Sequence, residues 1–242
     1  MKLNLLRSLA VAALAAPLCL AQTYPAKTPA SKTPAAKSPA PAVKSDPPRT
    51  TVAASMLNLP VAGLTADNAA KVQAALKDFS NSSWRCATCG KASFEAGTCC
   101  GKDRVAQSGM ALSSVSVDAA AGSLAFAVQA GHAVRLTEIE RLLQAQGVSV
   151  QRDHLALGQD ATLLVTGAAD AAAGQSIRKA LVDAQLAEQV DVTQPTGKHE
   201  TEVVLHRKAG SPPTEEHVRE VLAKANSAFG VTDVIWSTAG KS

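Results

Sequence analysis

The sequence predicts an α+β fold in which two units with the element order β-α-β-β-α-β follow each other along the chain. Two patterns lead to this prediction. Alternating apolar residues in short segments are typical of half-buried strands, and apolar residues at i, i+3, i+4 and i+7 are typical of amphipathic helices. These patterns occur in the same order in residues 55–150 and again in 160–238, although the two halves share little sequence.

The first strand and helix of the first unit are indicated by residue spacing and by a capping residue. Alternating apolar residues in 57–61 predict a strand that ends at Gly63. Thr65 is the predicted N-cap of the helix that follows. Its apolar face consists of residues three or four apart, namely Val72, Ala75, Leu76 and Phe79.

A hairpin, a second helix and a fourth strand complete the first unit. Two strand-like segments, 112–117 and 124–128, are separated by a short loop and are predicted to pair. The second helix is predicted to begin at Thr137, because Glu140 three residues later matches a capping box. We expect the helix to end before Gly147, and the fourth strand to follow at once.

The second unit repeats this order. A strand over 163–165 ends at Gly167, and Asp170 is a candidate N-cap for the helix after it. A hairpin that turns at 195–197, a further helix and a last strand over 231–236 follow. We therefore expect each unit to be ferredoxin-like, that is, an antiparallel four-stranded sheet with two helices on one face.

The N-terminal 54 residues have a different composition. Residues 1–21 predict a secretory signal peptide, since two basic residues precede a short apolar stretch and Ala21 ends a region suited to cleavage. Residues 22–54 contain 7 of the 12 prolines and five basic residues, which predicts a disordered, semi-rigid linker. We expect an exported protein of the periplasm or cell envelope, without a transmembrane span after signal cleavage.

The charge distribution and the absence of known catalytic motifs exclude several function classes. The whole chain carries +4, but residues 55–242 carry −2, so the folded part has no excess positive charge with which to meet phosphates. Aromatic residues make up 3% of the chain, too few for base-stacking surfaces. Nucleophile elbows, phosphate-binding loops and dinucleotide fingerprints are absent from the sequence. We expect a non-catalytic protein that does not bind nucleic acid.

Four cysteines lie in an insert over 84–104, after the first helix. Cys86-Ala-Thr-Cys89-Gly90 has the form of a zinc knuckle, in which two thiolates share one tight turn. Cys99-Cys100-Gly101 is a shortened second half that lacks the two intervening residues. The four candidate ligands, Cys86, Cys89, Cys99 and Cys100, predict a site for Zn²⁺ or another soft metal ion.

Two other interpretations of the insert remain open. Export favours oxidation, so the cysteines could instead form structural disulfides, and the protein would then be an envelope protein-interaction module. A redox or labile capture site is also open, although a redox site would require a thiol pKa lowered by a helix N-terminus. His132 is a candidate further ligand, but an ordinary loop histidine is the favoured interpretation.

The first unit resembles the heavy-metal-associated (HMA) domain family, which includes copper chaperones and metal-pumping ATPases. The resemblance lies in the loop that begins the first helix, Leu59-Pro-Val-Ala-Gly63-Leu64-Thr65-Ala66-Asp67-Asn68-Ala69, and in Ala75-Leu76 and the later elements up to Val148. It implies a ferredoxin-like fold and metal binding. The positions of the two metal-binding cysteines of the family are Ala66 and Ala69, and a methyl group cannot bind a metal ion. Metal binding would therefore depend on the cysteine insert.

Overall fold

The computed structural model describes residues 56–158, 161–193, 200–207, 210 and 212–238 of the chain. The predicted signal peptide (1–21), the linker (22–54) and the predicted turn at 195–197 lie outside the described residues. Within the described part, no helix is both long enough and apolar enough to cross a membrane.

The described chain contains fourteen strands and four α-helices. The strands are β1 Leu57–Ala62, β2 Ser80–Arg85, β3 Ala92–Ser93, β4 Thr98–Cys99, β5 Lys102–Asp103, β6 Val105–Met110, β7 Leu112–Asp118, β8 Ser123–Val128, β9 Ala133–Arg135, β10 Ser149–Val150, β11 Ala161–Thr166, β12 Gln189–Thr193, β13 Glu200–His206 and β14 Gly230–Ser237. The helices are α1 Ala66–Lys77, α2 Leu136–Gln144, α3 Ala171–Asp183 and α4 Glu215–Ala225, with a 3-10 turn at Arg152–His154.

The first half of the chain forms a four-stranded antiparallel sheet in the order β10-β1-β8-β7. Numbered within the unit, this is the order fourth, first, third, second, which is consistent with a ferredoxin-like fold. Helices α1 and α2 contact each other. Their buried residues belong to the same core as the sheet, namely Val72, Leu76, Leu136, Ile139 and Leu143.

The second half forms a five-stranded antiparallel sheet in the order β12-β13-β11-β14-β9. Its first four members repeat the strand order of the first sheet, and α3 and α4 contact each other in the same way. The fifth member, β9, comes from the first half and pairs with β14, with Val134 opposite Trp236. The mixed α and β class with antiparallel sheets is thus confirmed, and β9 is an addition that the sequence patterns did not predict.

One hydrophobic core joins the two sheets. It contains residues of both halves, and Phe126 of β8 packs edge-to-face against Trp236 of β14, with ring centroids 6.3 Å apart. Leu155 and Leu157, in the segment between the sheets, are also fully buried in this core. The described residues between 56 and 238 therefore belong to one compact unit.

The predicted helix starts are right in two cases and wrong in one. The side chains of Thr65 and Asp170 cap α1 and α3 as expected. Helix α2 begins at Leu136 rather than Thr137. The hydroxyl of Thr137 donates to Asp233 at 2.8 Å, and Glu138, not Glu140, accepts the backbone N–H at the start of the helix.

The two units share a close approach at the turn between their first strand and first helix. Gly63 has φ 79° and Gly167 has φ 84°. A Cβ atom on Gly63 would lie 2.5 Å from the carbonyl oxygen of Gly147, and one on Gly167 would lie 2.1 Å from that of Ala228. At both places glycine is required, because φ is positive and because a Cβ atom would clash with a backbone carbonyl.

The Gly167→Ala variant is expected to lose about 1–3 kcal/mol of unfolding free energy, because alanine strains the positive φ and meets the Ala228 carbonyl. Urea denaturation measures the loss. Gly158→Ala is the matched control, since its Cβ would make an ordinary 3.7 Å contact with Leu57. Equal losses in the two variants would contradict the requirement for glycine at position 167.

Candidate metal centre

The cysteines lie at the end of a ribbon formed by strands β2 and β6. Strands β2 and β6 pair from Ser80 opposite Met110 to Arg85 opposite Val105, and β3 adds to the other side of β2. The ribbon thus continues directly into residues 86–104, and it brings the two cysteine pairs to one end of the insert.

The first cysteine pair lies on a tight turn after β2. The backbone N–H of Cys86 donates to the carbonyl of Lys91 at 3.0 Å, and the N–H of Gly90 donates to the carbonyl of Cys86 at 2.9 Å. The N–H of Cys89 points at the sulfur of Cys86, 3.5 Å away. Gly90 has φ 73°, so glycine suits the position that closes the turn. This is the backbone arrangement expected of a knuckle.

The second cysteine pair lies in a two-residue hairpin. Strands β4 and β5 pair Cys99 opposite Lys102, which leaves Cys100 and Gly101 as the turn. Both turn residues have positive φ, 53° and 73°, as in a type I′ turn. A non-glycine residue in this region costs roughly 1–2 kcal/mol. With this strained backbone, two adjacent cysteines direct their sulfur atoms to the same place.

The four sulfur atoms form one cluster. All four Sγ atoms lie within 4.8 Å of one another. The Sγ of Cys99 is 3.6 Å from that of Cys89 and 3.8 Å from that of Cys100. Metal–sulfur bonds of about 2.3 Å in a tetrahedron require sulfur atoms about 3.8 Å apart. The donors present therefore fit a four-coordinate soft metal ion in number, chemistry and spacing.

The pKa values in the cluster differ strongly from one thiol to the next. The pKa of Cys86 is lowered to about 6, chiefly because the backbone N–H of Cys89 faces its sulfur. The pKa of Cys100 is raised to about 12 and that of Cys99 is also raised, in both cases first of all by the neighbouring Cys89 thiol. The Cys86 thiol thus ionises more readily than the thiols of Cys99 and Cys100. A metal ion would have to displace the thiol protons on binding.

The charge of the insert complements a metal-thiolate site. Residues 84–104 contain four basic side chains, Arg85, Lys91, Lys102 and Arg104, and two acidic ones, Glu95 and Asp103. Their net charge is therefore +2. A divalent ion held by four thiolates carries a net −2, so the insert would be close to neutral when loaded.

The insert rests on the outer face of the second sheet. Ala92 packs in a small cluster with Ala133, Leu164 and Ile235, and Phe94 lies against the same cluster. The guanidinium of Arg135 lies 4.6 Å from the centre of the Phe94 ring. Local sequence patterns do not predict this contact, although Phe94 is the large apolar residue between the two cysteine pairs.

His132 and His206 are not part of the cluster. His132 Nδ1 lies 3.3 Å from Asn81 Oδ1, and burial lowers its pKa. On β13, His206 interacts with Asp191 of the neighbouring strand at 2.8 Å. Within the described residues, the four cysteines are the one group of three or more His, Cys, Asp or Glu whose ligand atoms come this close.

The loop that resembles the HMA metal loop holds no metal ligand. Ala66 and Ala69 lie in the first turn of α1, and Asn68 closes a capping box with Thr65. The Asn68 side chain also donates to the carbonyl of Gly63 at 2.9 Å. The polar groups of this loop thus hold the strand-to-helix turn together.

Comparisons with known proteins leave the family open. No protein-family model and no curated protein matches the chain. Among solved structures, the water-soluble region of the P-type ATPase CopA from Bacillus subtilis is similar over 74% of this chain and 91% of its own, with 14% identity and a TM-score of 0.29. A TM-score of this size is too low to establish a shared fold, so the relation to the HMA family stays a resemblance.

Proposed function

We propose that this protein is an exported, non-catalytic metal-binding protein that holds Zn²⁺ or another soft metal ion on Cys86, Cys89, Cys99 and Cys100. The observation that carries the proposal is the cluster of four sulfur atoms within 4.8 Å of one another. Thiolates select zinc, copper(I) and similar ions over hard cations such as Mg²⁺ or Ca²⁺, which take oxygen ligands.

The backbone of the insert supports this proposal. The Cys86–Gly90 turn directs an N–H to a sulfur atom, as in a metal knuckle. The strained turn at Cys100 brings a fourth sulfur to the other three. Backbone strain at a non-glycine residue is enriched at functional sites, although Ser114 and Gln185 share this positive φ elsewhere in the protein.

The setting of the site is also proposed. We infer two tandem ferredoxin-like units of the HMA type, in which the insert has taken over metal binding from the loop at Ala66 and Ala69. The predicted signal peptide and linker favour a place in the periplasm or cell envelope, where the protein could also meet an envelope partner.

Metal content and free thiols test this proposal together. The exported protein is purified without added metal, and its metal is measured by inductively coupled plasma mass spectrometry. We expect one ion per chain and four thiols that react with Ellman's reagent after chelation. A chain with no metal and no free thiols would contradict the proposal and favour the alternative, an interaction module held by disulfides.

A further inference from the structure

We propose that the metal site is built as three plus one: Cys86, Cys89 and Cys99 hold the ion, and Cys100 occupies an exchangeable fourth position that an external thiolate can take. This inference rests on the proposed metal binding at the same four cysteines. It concerns a property that a purely structural site lacks, since structural zinc sites are closed and reactive ones keep a position open.

Burial separates Cys100 from the other three ligands. Cys86 is fully buried, Cys89 and Cys99 are half-buried, and Cys100 is exposed. The sulfur of Cys86 faces the N–H of Cys89 and lies 3.5 Å from the carbonyl of Cys99. The sulfur of Cys89 lies 3.6 Å from that of Cys99. These three residues thus hold one another, whereas Cys100 forms the corner of the cluster that faces solvent.

The backbone at this corner favours exchange. Cys100 has φ 53°, a strained conformation for a residue with a side chain. Gly101 next to it has open space where a Cβ atom would be, and so has Gly97 before β4. Among the described residues, no atom outside the neighbouring residues lies within 4 Å of either Cβ position, so the hairpin is open to an incoming group at these two places. Loss of the metal–Cys100 bond would also free the strained residue to relax.

The exchange step conserves charge and electrons. An incoming thiolate forms a bond to the metal while the bond from the metal to the Cys100 sulfur breaks. If the incoming group is a thiol, its proton passes to the Cys100 sulfur. The oxidation state of the metal does not change. Lys102, opposite Cys99 in the hairpin, and the adjacent Asp103 are both exposed. The net charge of +2 over residues 84–104 favours the approach of an anionic ligand.

Cobalt substitution tests the inference, because Co²⁺ reports the number of thiolate ligands by its absorption. The Cys100→Ser variant is expected to bind one Co²⁺ per chain with a three-thiolate spectrum, and 2-mercaptoethanol is expected to restore the four-thiolate spectrum. Cys89→Ser is the matched control and is expected to lose Co²⁺ or to give a spectrum that 2-mercaptoethanol does not restore. Cys100→Asn keeps a residue that tolerates positive φ and guards against misfolding of the turn.

Alkylation of the metal-loaded wild type gives an independent readout. Iodoacetamide followed by mass spectrometry is expected to label Cys100 first, with the metal retained. Equal protection of all four cysteines, or loss of Co²⁺ from Cys100→Ser and Cys100→Asn as complete as from Cys89→Ser, would overturn the three-plus-one site alone. A wild-type protein that binds no metal would overturn the proposed function as well.

Discussion

Replacing Cys86 and Cys89 together by serine is expected to abolish stoichiometric metal binding while most of the secondary structure remains. The change removes the buried ligand and its partner on the same turn, and a serine hydroxyl is a poor ligand for a soft metal. The sheets should persist, because among the described residues the main hydrophobic core contains none from the insert over 84–104 or from strands β2 and β6 that flank it. Metal analysis measures the loss of binding, and far-UV circular dichroism measures the secondary structure that remains.

The matched control for this pair is Thr88→Ala. It changes a residue between the two cysteines but keeps all four sulfur atoms and the backbone N–H groups that face Cys86. We expect it to retain the metal of the wild type. Full metal content in the double serine variant would show that the ion is bound elsewhere in the protein.

The Arg152→Ala variant is expected to lose about 1.5–3 kcal/mol of unfolding free energy at neutral pH. Arg152 binds both oxygens of Glu140, at 2.6 and 2.7 Å, and reaches the fully buried Glu215 at 3.3 Å. Glu140 lies on α2 and Glu215 on α4, so this one side chain joins the two halves. Its removal would leave the partly buried Glu140 without this partner and the buried Glu215 with Arg219 alone, at 2.7 Å. Hydrogen bonds to charged groups contribute about 1.5–3 kcal/mol. Urea denaturation measures the loss.

Lys179→Ala provides the control for Arg152. Lys179 pairs with Asp183 at 2.6 Å, but the pair is exposed and lies within one helix. Such pairs are worth about 0.3–0.5 kcal/mol. We expect a loss of that size, and a comparable loss in the two variants would show that burial of the Arg152 network adds nothing to stability.

The penalty for removing Arg152 is expected to depend on pH. Burial raises the pKa of Glu215, while Arg152 and Arg219 lower it, so the pKa rises further when Arg152 is absent. A carboxyl whose pKa is higher in the folded state holds more protons when folded. Its contribution to stability therefore falls as the pH rises from the unfolded towards the folded pKa. The loss of unfolding free energy in Arg152→Ala relative to the wild type should thus shrink as the pH is lowered towards the ordinary pKa of glutamate. A loss that grows in acid would contradict the role of Arg152 in holding Glu215 ionised.

Much of the fold and the candidate ligand set could be predicted from local sequence patterns. The alternation in 57–61 and the apolar spacing after Thr65 predicted β1 and α1, because strand and helix periods act over a few residues. Thr65 and Asp170 cap their helices since a cap depends on residues within one turn. The cysteine spacing likewise identified the four sulfur atoms that the structure brings together.

The start of α2 and the partner of β9 were decided by the tertiary structure. Thr137 and Glu140 match a capping box, but Asp233 and Arg152 form their hydrogen bonds instead, across 96 and 12 residues of sequence. Strand β9 has three residues, too few for a period, and it exists because β14 lies beside it. Local patterns specify an element when its own neighbours satisfy its polar groups and its apolar face. Where those partners come from distant parts of the chain, the sequence pattern of the segment alone does not predict where the element begins or what it pairs with.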